Sequence, residues 1–285
     1  MLHLDNSGDL HRWSRAALGR GQTIAFVPTM GYLHEGHRSL MRIARERADQ
    51  VVVSIFVNPL QFAAGEDLDT YPRDPEADLH ICESEGVDLV FMPGDLYPSD
   101  FSTTVVVEGL TNGLCGATRE GHFDGVATVV LKLFNLVRPT MAVFGQKDFQ
   151  QLQVVRRMVR DLDLDIQIVG GPIVRDSDGV ALSSRNAYLS SEERAQAAIL
   201  NKSLIAADAQ VRAGERDPEV LVEAVRQAVQ AAPLARVDYV ELVDAGSLEP
   251  VTGRLDRPAL LALAVRFGQT RLIDNRVLGE EQLQA

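Results

Sequence analysis

Short apolar runs alternate with segments of helical periodicity from Thr23 to Gly170. The apolar runs predict five strands, at residues 23–30, 50–57, 88–93, 141–145 and 165–170. Apolar residues at helical spacing predict helices between them, beginning near Gly36, Pro75, Val126 and Leu152. Because strands connected by helices form parallel sheets covered on both faces, this part of the chain is predicted to be a doubly wound, Rossmann-like α/β domain.

The pattern changes after Arg175. Ser190-Ser-Glu-Glu193 is a capping-box sequence, which predicts a long alanine-rich helix ending near Gly214, and Pro218 predicts the start of another. Three strand-like segments then follow without helices between them, at residues 237–244, 259–267 and 271–277. We therefore expect two domains, a Rossmann-like domain at residues 1–175 and a smaller α+β domain with an antiparallel sheet at 176–285.

Composition and charge restrict the function classes. The chain has 46% apolar and 24% charged residues, which are values of a globular protein. Its net charge of −12 argues against a nonspecific nucleic-acid binder, so an anionic ligand must meet locally concentrated positive charge. No apolar run reaches the roughly 18 residues of a membrane span. Two cysteines and an N-terminus without a secretory pattern predict a cytoplasmic location.

The junction between the first predicted strand and its helix carries the sequence His34-Glu-Gly-His37. A strand that ends in a glycine-containing turn exposes the unpaired N–H groups of the next helix, and the helix dipole adds positive charge toward an anion. Two imidazoles three residues apart project to the same side of that turn. The junction is therefore a predicted phosphate site.

Three other polar clusters lie at or beyond the ends of predicted strands or just past the domain boundary. Asn58 and Gln61 offer neutral donors and acceptors after the second strand. Lys147, one of three lysines against 25 arginines, follows the strand at 141–145 and has the compact charge that suits phosphate contact. The Ser183-Ser-Arg185 loop combines hydroxyls with a guanidinium, which suits a phosphate clasp.

Each cluster has a structural alternative. The histidines fit ordinary hydrogen-bonded residues or a zinc pair, although no third histidine or cysteine has zinc-site spacing. Asn58 fits a capped turn, Asp148 fits a solvated helix start, and the serines fit a connector. Arg119 and His122 are further candidates, which either approach the phosphates or belong to a solvated loop.

The ordered set of motifs resembles the pantothenate synthetase family, within the nucleotidyltransferase superfamily that includes the class I aminoacyl-tRNA synthetases. The resemblance rests on residues 28–37, 56–62, 144–152 and 182–186, and it extends over essentially the whole chain, including Thr270-Arg-Leu-Ile-Asp-Asn275. It implies ATP-dependent condensation of D-pantoate with β-alanine to give pantothenate, AMP and diphosphate. The expected intermediate is a pantoyl-adenylate.

The resemblance also implies roles for individual residues. His34, His37, Lys147 and Arg185 are expected to act in catalysis, with His37 the usual candidate for proton donation. Asn58, Gln61 and Gln151 are expected to bind substrate, and Asp78 is the candidate ligand for Mg²⁺. The family is usually homodimeric. The residues expected to bind ATP are Met30, Gly31, Tyr32, Leu33, His34, Glu35, Gly36, His37, Gly145, Gln146, Lys147, Asp148, Val174, Leu182, Ser183, Ser184 and Arg185.

Gln146 departs from the family pattern, because the family often has glutamate at this position. Two other functions compete with the one implied. An adenylyltransferase acting on a phosphorylated acceptor would need cationic residues where Asn58, Gln61 and Gln151 present neutral amides. The other is a catalytically idle nucleotide sensor or an RNA-binding relative. The acidic net charge argues against RNA binding, and the retained cationic and hydroxyl groups argue against a sensor that only binds.

Overall fold

The computed structural model describes residues 1–279 and forms two compact units. The first comprises residues 1–108, 119–146 and 151–173, and the second comprises residues 109–118, 147–150 and 174–279. The second unit thus includes two short segments that a single boundary at residue 175 would assign to the first.

The first unit is built on a six-stranded parallel sheet with the order β1-β4-β3-β2-β5-β6. The prediction of a doubly wound parallel sheet is confirmed. Because the strand order reverses between β2 and β5, the ligand crevice of such a sheet is expected at the carboxyl ends of these two strands. The strands are β1 Leu2–Leu4, β2 Ile24–Thr29, β3 Gln50–Ile55, β4 Leu89–Phe91, β5 Met141–Gly145 and β6 Gln167–Gly171.

Helices connect these strands. They are α1 Ser7–Gly19, α2 Glu35–Arg45, α3 Pro75–Ser84, α5 His122–Val137 and α6 Phe149–Asp161; α4, Leu114–Thr118, belongs to the second unit. Successive residues of a strand point to opposite faces of the sheet. On one face, Ala25 and Val27 pack with Met41 of α2. Phe26 points to the other face, where its ring lies 6.3 Å from that of Phe134 in α5.

Two local predictions need correction in the first unit. β1 and α1 were not predicted; β1 has only three residues, too few to show a period. The helix predicted to begin near Leu152 begins earlier, at Phe149, and ends at Asp161.

The second unit packs helices against a three-stranded antiparallel sheet in the order β7-β8-β9, as predicted. The predicted capping box is present, since the Ser190 hydroxyl accepts from the Glu193 N–H and the Glu193 carboxylate accepts from the Ser190 N–H. The prediction of a single long helix was wrong, because Ala198 separates two helices. The elements are α7 Ser191–Ala197, α8 Ile199–Arg212, α9 Pro218–Gln230, β7 Ala235–Asp244, β8 Ala259–Phe267 and β9 Thr270–Leu278. Within residues 1–279, no helix has the length and apolar character needed to span a membrane.

Candidate active site

His34 and His37 form the start of α2, which begins at Glu35, one residue before the predicted position. His34 is the N-cap, and its Nδ1 accepts from the Gly36 N–H at 3.1 Å. His37 Nδ1 accepts from the His34 N–H at 3.2 Å, and the two ring centroids lie 4.1 Å apart. Since each Nδ1 is an acceptor, the hydrogen of each neutral ring is on Nε2.

This arrangement suits an anion. The first N–H groups of a helix lack intrahelical acceptors, and the helix dipole places partial positive charge there. Two Nε2–H groups add directional donors at the same helix start. Glu35, which the resemblance includes in the ATP segment, forms ion pairs with Arg38 and Arg42.

The turn before His34 has an unusual backbone. Gly31 and Tyr32 have positive φ values of 86° and 51°. The Asp78 carboxylate accepts from the Tyr32 N–H at 2.8 Å and from the Leu33 N–H at 2.7 Å, and Asp78 is only 2% exposed. A Cβ on Gly31 would lie 2.9 Å from Asp78 Oδ2, so glycine allows the carboxylate to approach the turn.

Both Asp78 carboxylate oxygens therefore accept backbone hydrogen bonds. Burial raises the pKa of Asp78, although the two N–H groups act in the opposite direction. Among residues 1–279 there is no group of three or more His, Cys, Asp or Glu side chains that could hold a metal ion. The described residues do not form a protein cage for Mg²⁺, and the role of Asp78 as its ligand stays a prediction.

Asn58 and Gln61 lie together just beyond β3, at a short 3₁₀ helix, Pro59–Gln61. Asn58 Nδ2 donates to Gln61 Oε1 at 3.0 Å and to the Gly125 carbonyl at 3.1 Å. Gln61 Nε2 donates to Met30 Sδ at 3.1 Å. The structure thus joins the predicted amide cluster to Met30, the first residue of the segment expected to bind ATP.

Arg119 and His122 contact protein groups near Gln61. Arg119 forms two 2.7 Å hydrogen bonds to the Glu66 carboxylate, and its Nη1 lies 2.9 Å from His122 Nε2. His122 Nδ1 lies 2.8 Å from the Gln61 carbonyl oxygen. Burial would raise the pKa of Glu66, but the Arg119 hydrogen bonds and charge outweigh it and lower that pKa. The side chains support the Gln61 backbone, and Glu66 was not singled out from the sequence.

Lys147 belongs to the second unit, in the 3₁₀ helix Gln146–Asp148 that follows β5. Its Nζ lies 3.6 Å from Asp148 Oδ1, so Asp148 is placed to orient the lysine. Its carbonyl oxygen accepts from Asn275 Nδ2 at 2.8 Å. Gln151 is partly buried and lies in the first turn of α6.

The Ser183-Ser-Arg185 loop also belongs to the second unit and follows a small hairpin. The Leu182 N–H donates to the Val174 carbonyl at 2.9 Å, and Ser183 caps the 3₁₀ helix Ser184–Tyr188. Lys147 and Ser183, which come from two separate motifs, line one small cavity. The rest of its lining is Val180, Ala181, Ala197, Leu200, Leu272, Ile273 and Asp274.

Arg175 and Asp274 support this loop and were not predicted as a pair. Arg175 donates to both oxygens of the Asp274 carboxylate, at 2.6 and 2.9 Å, and to the Gly179 carbonyl at 3.2 Å. Asp274 is 3% exposed. A buried bidentate ion pair with further hydrogen bonds holds a loop in one conformation. The only sequence signal was the motif at residues 270–275.

Comparisons with known proteins agree over nearly the full chain. A family model described as Pantoate-beta-alanine ligase matches residues 3–277. A pantothenate synthetase of Geobacter sulfurreducens is 55% identical over 284 residues, covering 99% of this chain and 100% of that protein. One from Heliobacterium modesticaldum is 54% identical over 280 residues, covering 98% and 99%.

Solved structures show the same relationship. The crystal structure of pantothenate synthetase from Thermus thermophilus has a TM-score of 0.91 and 47% identity, covering 97% of this chain and 99% of that one. A pantoate-beta-alanine ligase from Francisella tularensis, complexed with beta-gamma ATP and beta-alanine, has a TM-score of 0.79 and 33% identity, covering 97% of both chains.

Proposed function

Because this chain belongs to the pantoate–β-alanine ligase family, we propose which of its residues carry out each step of the ATP-dependent condensation of pantoate with β-alanine. The enzyme is a carbon–nitrogen ligase, and a pantoyl-adenylate intermediate is consistent with its family. The products are pantothenate, AMP and diphosphate.

In the first step, a carboxylate oxygen of D-pantoate attacks the α-phosphorus of ATP. The new O–P bond replaces the bond to diphosphate, which leaves with its electron pair. The attacking carboxylate and the triphosphate repel each other, so cationic side chains and N–H donors must neutralise charge in the transition state. We assign this role to Lys147 and Arg185, together with His34 and His37.

The two histidines act mainly through hydrogen bonds. Their Nδ1 atoms accept backbone N–H groups, so each neutral ring offers an Nε2–H donor. His37 is proposed to donate from Nε2 to an oxygen that gains charge as the α-phosphate reacts. The Asp78 carboxylate accepts from the Tyr32 and Leu33 N–H groups and so fixes the turn that leads into the two rings.

Pantoate is bound by neutral amides. Gln61 and Gln151 are proposed to hold its carboxylate and hydroxyl oxygens, while Asn58 orients Gln61. The observation that carries the proposal is the contact of Gln61 Nε2 with Met30 Sδ, because Met30 begins the segment that is proposed to bind ATP. Neutral amides suit an unphosphorylated acid better than a phosphorylated acceptor.

In the second step, the β-alanine amine attacks the activated carbonyl carbon. The C–N bond forms, AMP leaves with the electron pair of the broken C–O bond, and the amine nitrogen gives up a proton. No covalent bond to the enzyme is needed. Holding the adenylate away from water limits its hydrolysis.

Mg²⁺, a homodimeric state and a cytoplasmic location complete the proposal. Mg²⁺ usually keeps several waters and binds substrate phosphates, so ATP oxygens are the proposed ligands and no step is assigned to the metal here. Light scattering on the purified protein tests the dimer, since the mass should be twice the 31.2 kDa of one chain.

The test of the function is ATP–diphosphate exchange with purified protein and Mg²⁺, with and without D-pantoate and without β-alanine. Exchange that requires pantoate is expected. Without β-alanine only the adenylate-forming step can occur, and its reversal returns diphosphate to ATP. Exchange that is absent while ATP still binds would contradict adenylate formation from pantoate and point to another acceptor or a nucleotide binder.

A further inference from the structure

Tyr97 lies at the end of a chain of hydrogen bonds that leads to Gln61. Tyr97 Oη lies 2.8 Å from Asn58 Oδ1. Asn58 Nδ2 contacts Gln61 Oε1, and Gln61 Nε2 contacts Met30 Sδ. Neither the sequence motifs nor the proposed function gave a role to Tyr97.

The direction of each bond follows from groups that have only one possible role. The Gly125 carbonyl can only accept, so the atom of the Asn58 amide that faces it at 3.1 Å must be Nδ2. The Leu60 N–H can only donate, and it lies 3.4 Å from Asn58 Oδ1. A phenol can donate or accept, and since it faces Oδ1 it donates.

The orientation of Asn58 then determines that of Gln61. Asn58 Nδ2 is a donor, so it requires Oε1 of Gln61 on its side. The Gln61 NH₂ group therefore faces away from Asn58, toward Met30 Sδ. In this orientation Gln61 presents N–H donors to a carboxylate or hydroxyl oxygen, whereas the reverse orientation would present a carbonyl oxygen that repels a carboxylate.

The surroundings hold the Tyr97 ring in place. Its centroid lies 6.1 Å from that of Phe56 and 4.8 Å from that of Phe101. Lys132 Nζ lies 6.0 Å from the Tyr97 ring centroid, and the Tyr97 N–H donates to Asp95 Oδ1 at 2.9 Å. Burial and the Asp95 charge raise the pKa of Tyr97, which keeps its hydroxyl a donor at neutral pH.

We propose that Tyr97 is a positioning residue for pantoate: its hydroxyl donates to Asn58, whose orientation follows from the Gly125 carbonyl, and so holds Asn58 where it directs the N–H donors of Gln61 at the substrate. This rests on the proposed function, in which Gln61 binds pantoate. Removal of the hydroxyl leaves Asn58 Oδ1 with only the long contact to the Leu60 N–H, so Asn58 keeps its bond to the Gly125 carbonyl but loses its short acceptor contact and holds Gln61 less firmly.

The test is Tyr97→Phe, assayed for kcat and for the KM of each substrate. The pantoate KM is expected to rise about tenfold and the ATP KM to change less than about twofold, as expected for one lost hydrogen bond that supports a single substrate. Tyr239→Phe is the matched control, because its hydroxyl contacts Cys115 at 3.4 Å in the second unit. An unchanged pantoate KM in folded Tyr97→Phe overturns the proposal.

A double-mutant cycle separates positioning from a general structural effect. In a Gln61→Ala enzyme, Tyr97→Phe should have no further effect on the pantoate KM, because the group that it orients is gone. The same tenfold rise in that background would show that Tyr97 acts independently of Gln61, and it would overturn the proposal.

Asn58→Asp provides a second variant that does not depend on the stability of Tyr97→Phe. An aspartate still accepts from Tyr97, but it offers an oxygen to Gln61 and so turns the Gln61 amide around. The pantoate KM should then rise more than in Tyr97→Phe, and a smaller rise would contradict the relay. Pantoate-independent exchange by the wild-type enzyme would refute the proposed function itself, which these comparisons between variants do not test.

Discussion

The backbone N–H of His34 donates to Nδ1 of His37, 3.2 Å away, so the histidine that the family resemblance assigns to catalysis also caps its own helix. His34 also caps the helix, since its Nδ1 accepts from the Gly36 N–H. In a neutral ring, each of these contacts places the imidazole hydrogen on Nε2, the atom that is proposed to face phosphate.

His37→Ala should lower kcat by about 10² to 10³ while changing the ATP KM much less, because its hydrogen bond strengthens as charge develops. His37→Gln keeps a side-chain N–H donor but cannot transfer a proton, so it should recover part of the loss. Steady-state kinetics of both variants measures this. An unchanged kcat in the alanine variant would exclude the role, and a glutamine variant as slow as alanine would favour proton transfer.

Asp78→Asn should destabilise the turn at Tyr32 and Leu33, because one backbone N–H would face the new NH₂ group. We expect a loss of about 1–3 kcal/mol in the free energy of unfolding and a higher ATP KM. Glu76→Gln is the control, since Glu76 is exposed on the same helix. A large change in the Mg²⁺ requirement with unaltered stability would instead identify Asp78 as a metal ligand.

Gly125→Ala should disturb the proposed pantoate site without removing a polar side chain. A Cβ at Gly125 would lie 2.2 Å from the Leu60 carbonyl oxygen and 2.7 Å from the Gln61 N, so the segment must move. We expect about 1–3 kcal/mol of destabilisation and a higher pantoate KM. Gly19→Ala, with no atom within 4 Å of the added Cβ, should change neither. An unaltered pantoate KM in Gly125→Ala would show that Gln61 does not depend on this packing.

Asn275→Ala should lower kcat/KM for ATP about tenfold, because its hydrogen bond to the Lys147 carbonyl positions the lysine. In a Lys147→Ala background the same substitution should have little further effect. Arg276→Gln is the control, as it breaks a 3.0 Å ion pair to Asp208 at the next residue of β9. Additive effects of the two alanine substitutions would refute the link to Lys147.

Gln151→Ala should raise the pantoate KM with little change in stability. Gln150→Ala should lower the stability and leave the pantoate KM nearly unchanged. Buried Gln150 accepts from the Cys115 N–H at 3.0 Å and donates to the Leu110 and Gly113 carbonyls at 2.9 Å. Thermal unfolding and pantoate kinetics of the two variants distinguish a residue that binds substrate from one that stabilises the fold. A Gln151 variant altered only in β-alanine kinetics would contradict its placement.

Local sequence alone determined the element types and the family. Buried strands show as apolar runs, so the strands at 24–29 and 141–145 and the antiparallel set after Arg236 were predictable from residue periods. Capping chemistry is also local, which is why the box at Ser190–Glu193 was found. The ordered motifs identified the chemistry through their resemblance to a known family, because the identity and order of these residues are written in the sequence itself.

The support of the site depended on the tertiary structure. Asp78 binds the turn at Tyr32, 46 residues away, Tyr97 reaches Asn58 across 39 residues, and Arg175 meets Asp274 across 99. No residue period encodes such pairs. They form because a buried polar group must find a partner, and only the packed chain decides which group lies within reach. Sequence therefore named the groups that are expected to act on the substrates, while tertiary structure selected the groups that hold them in position.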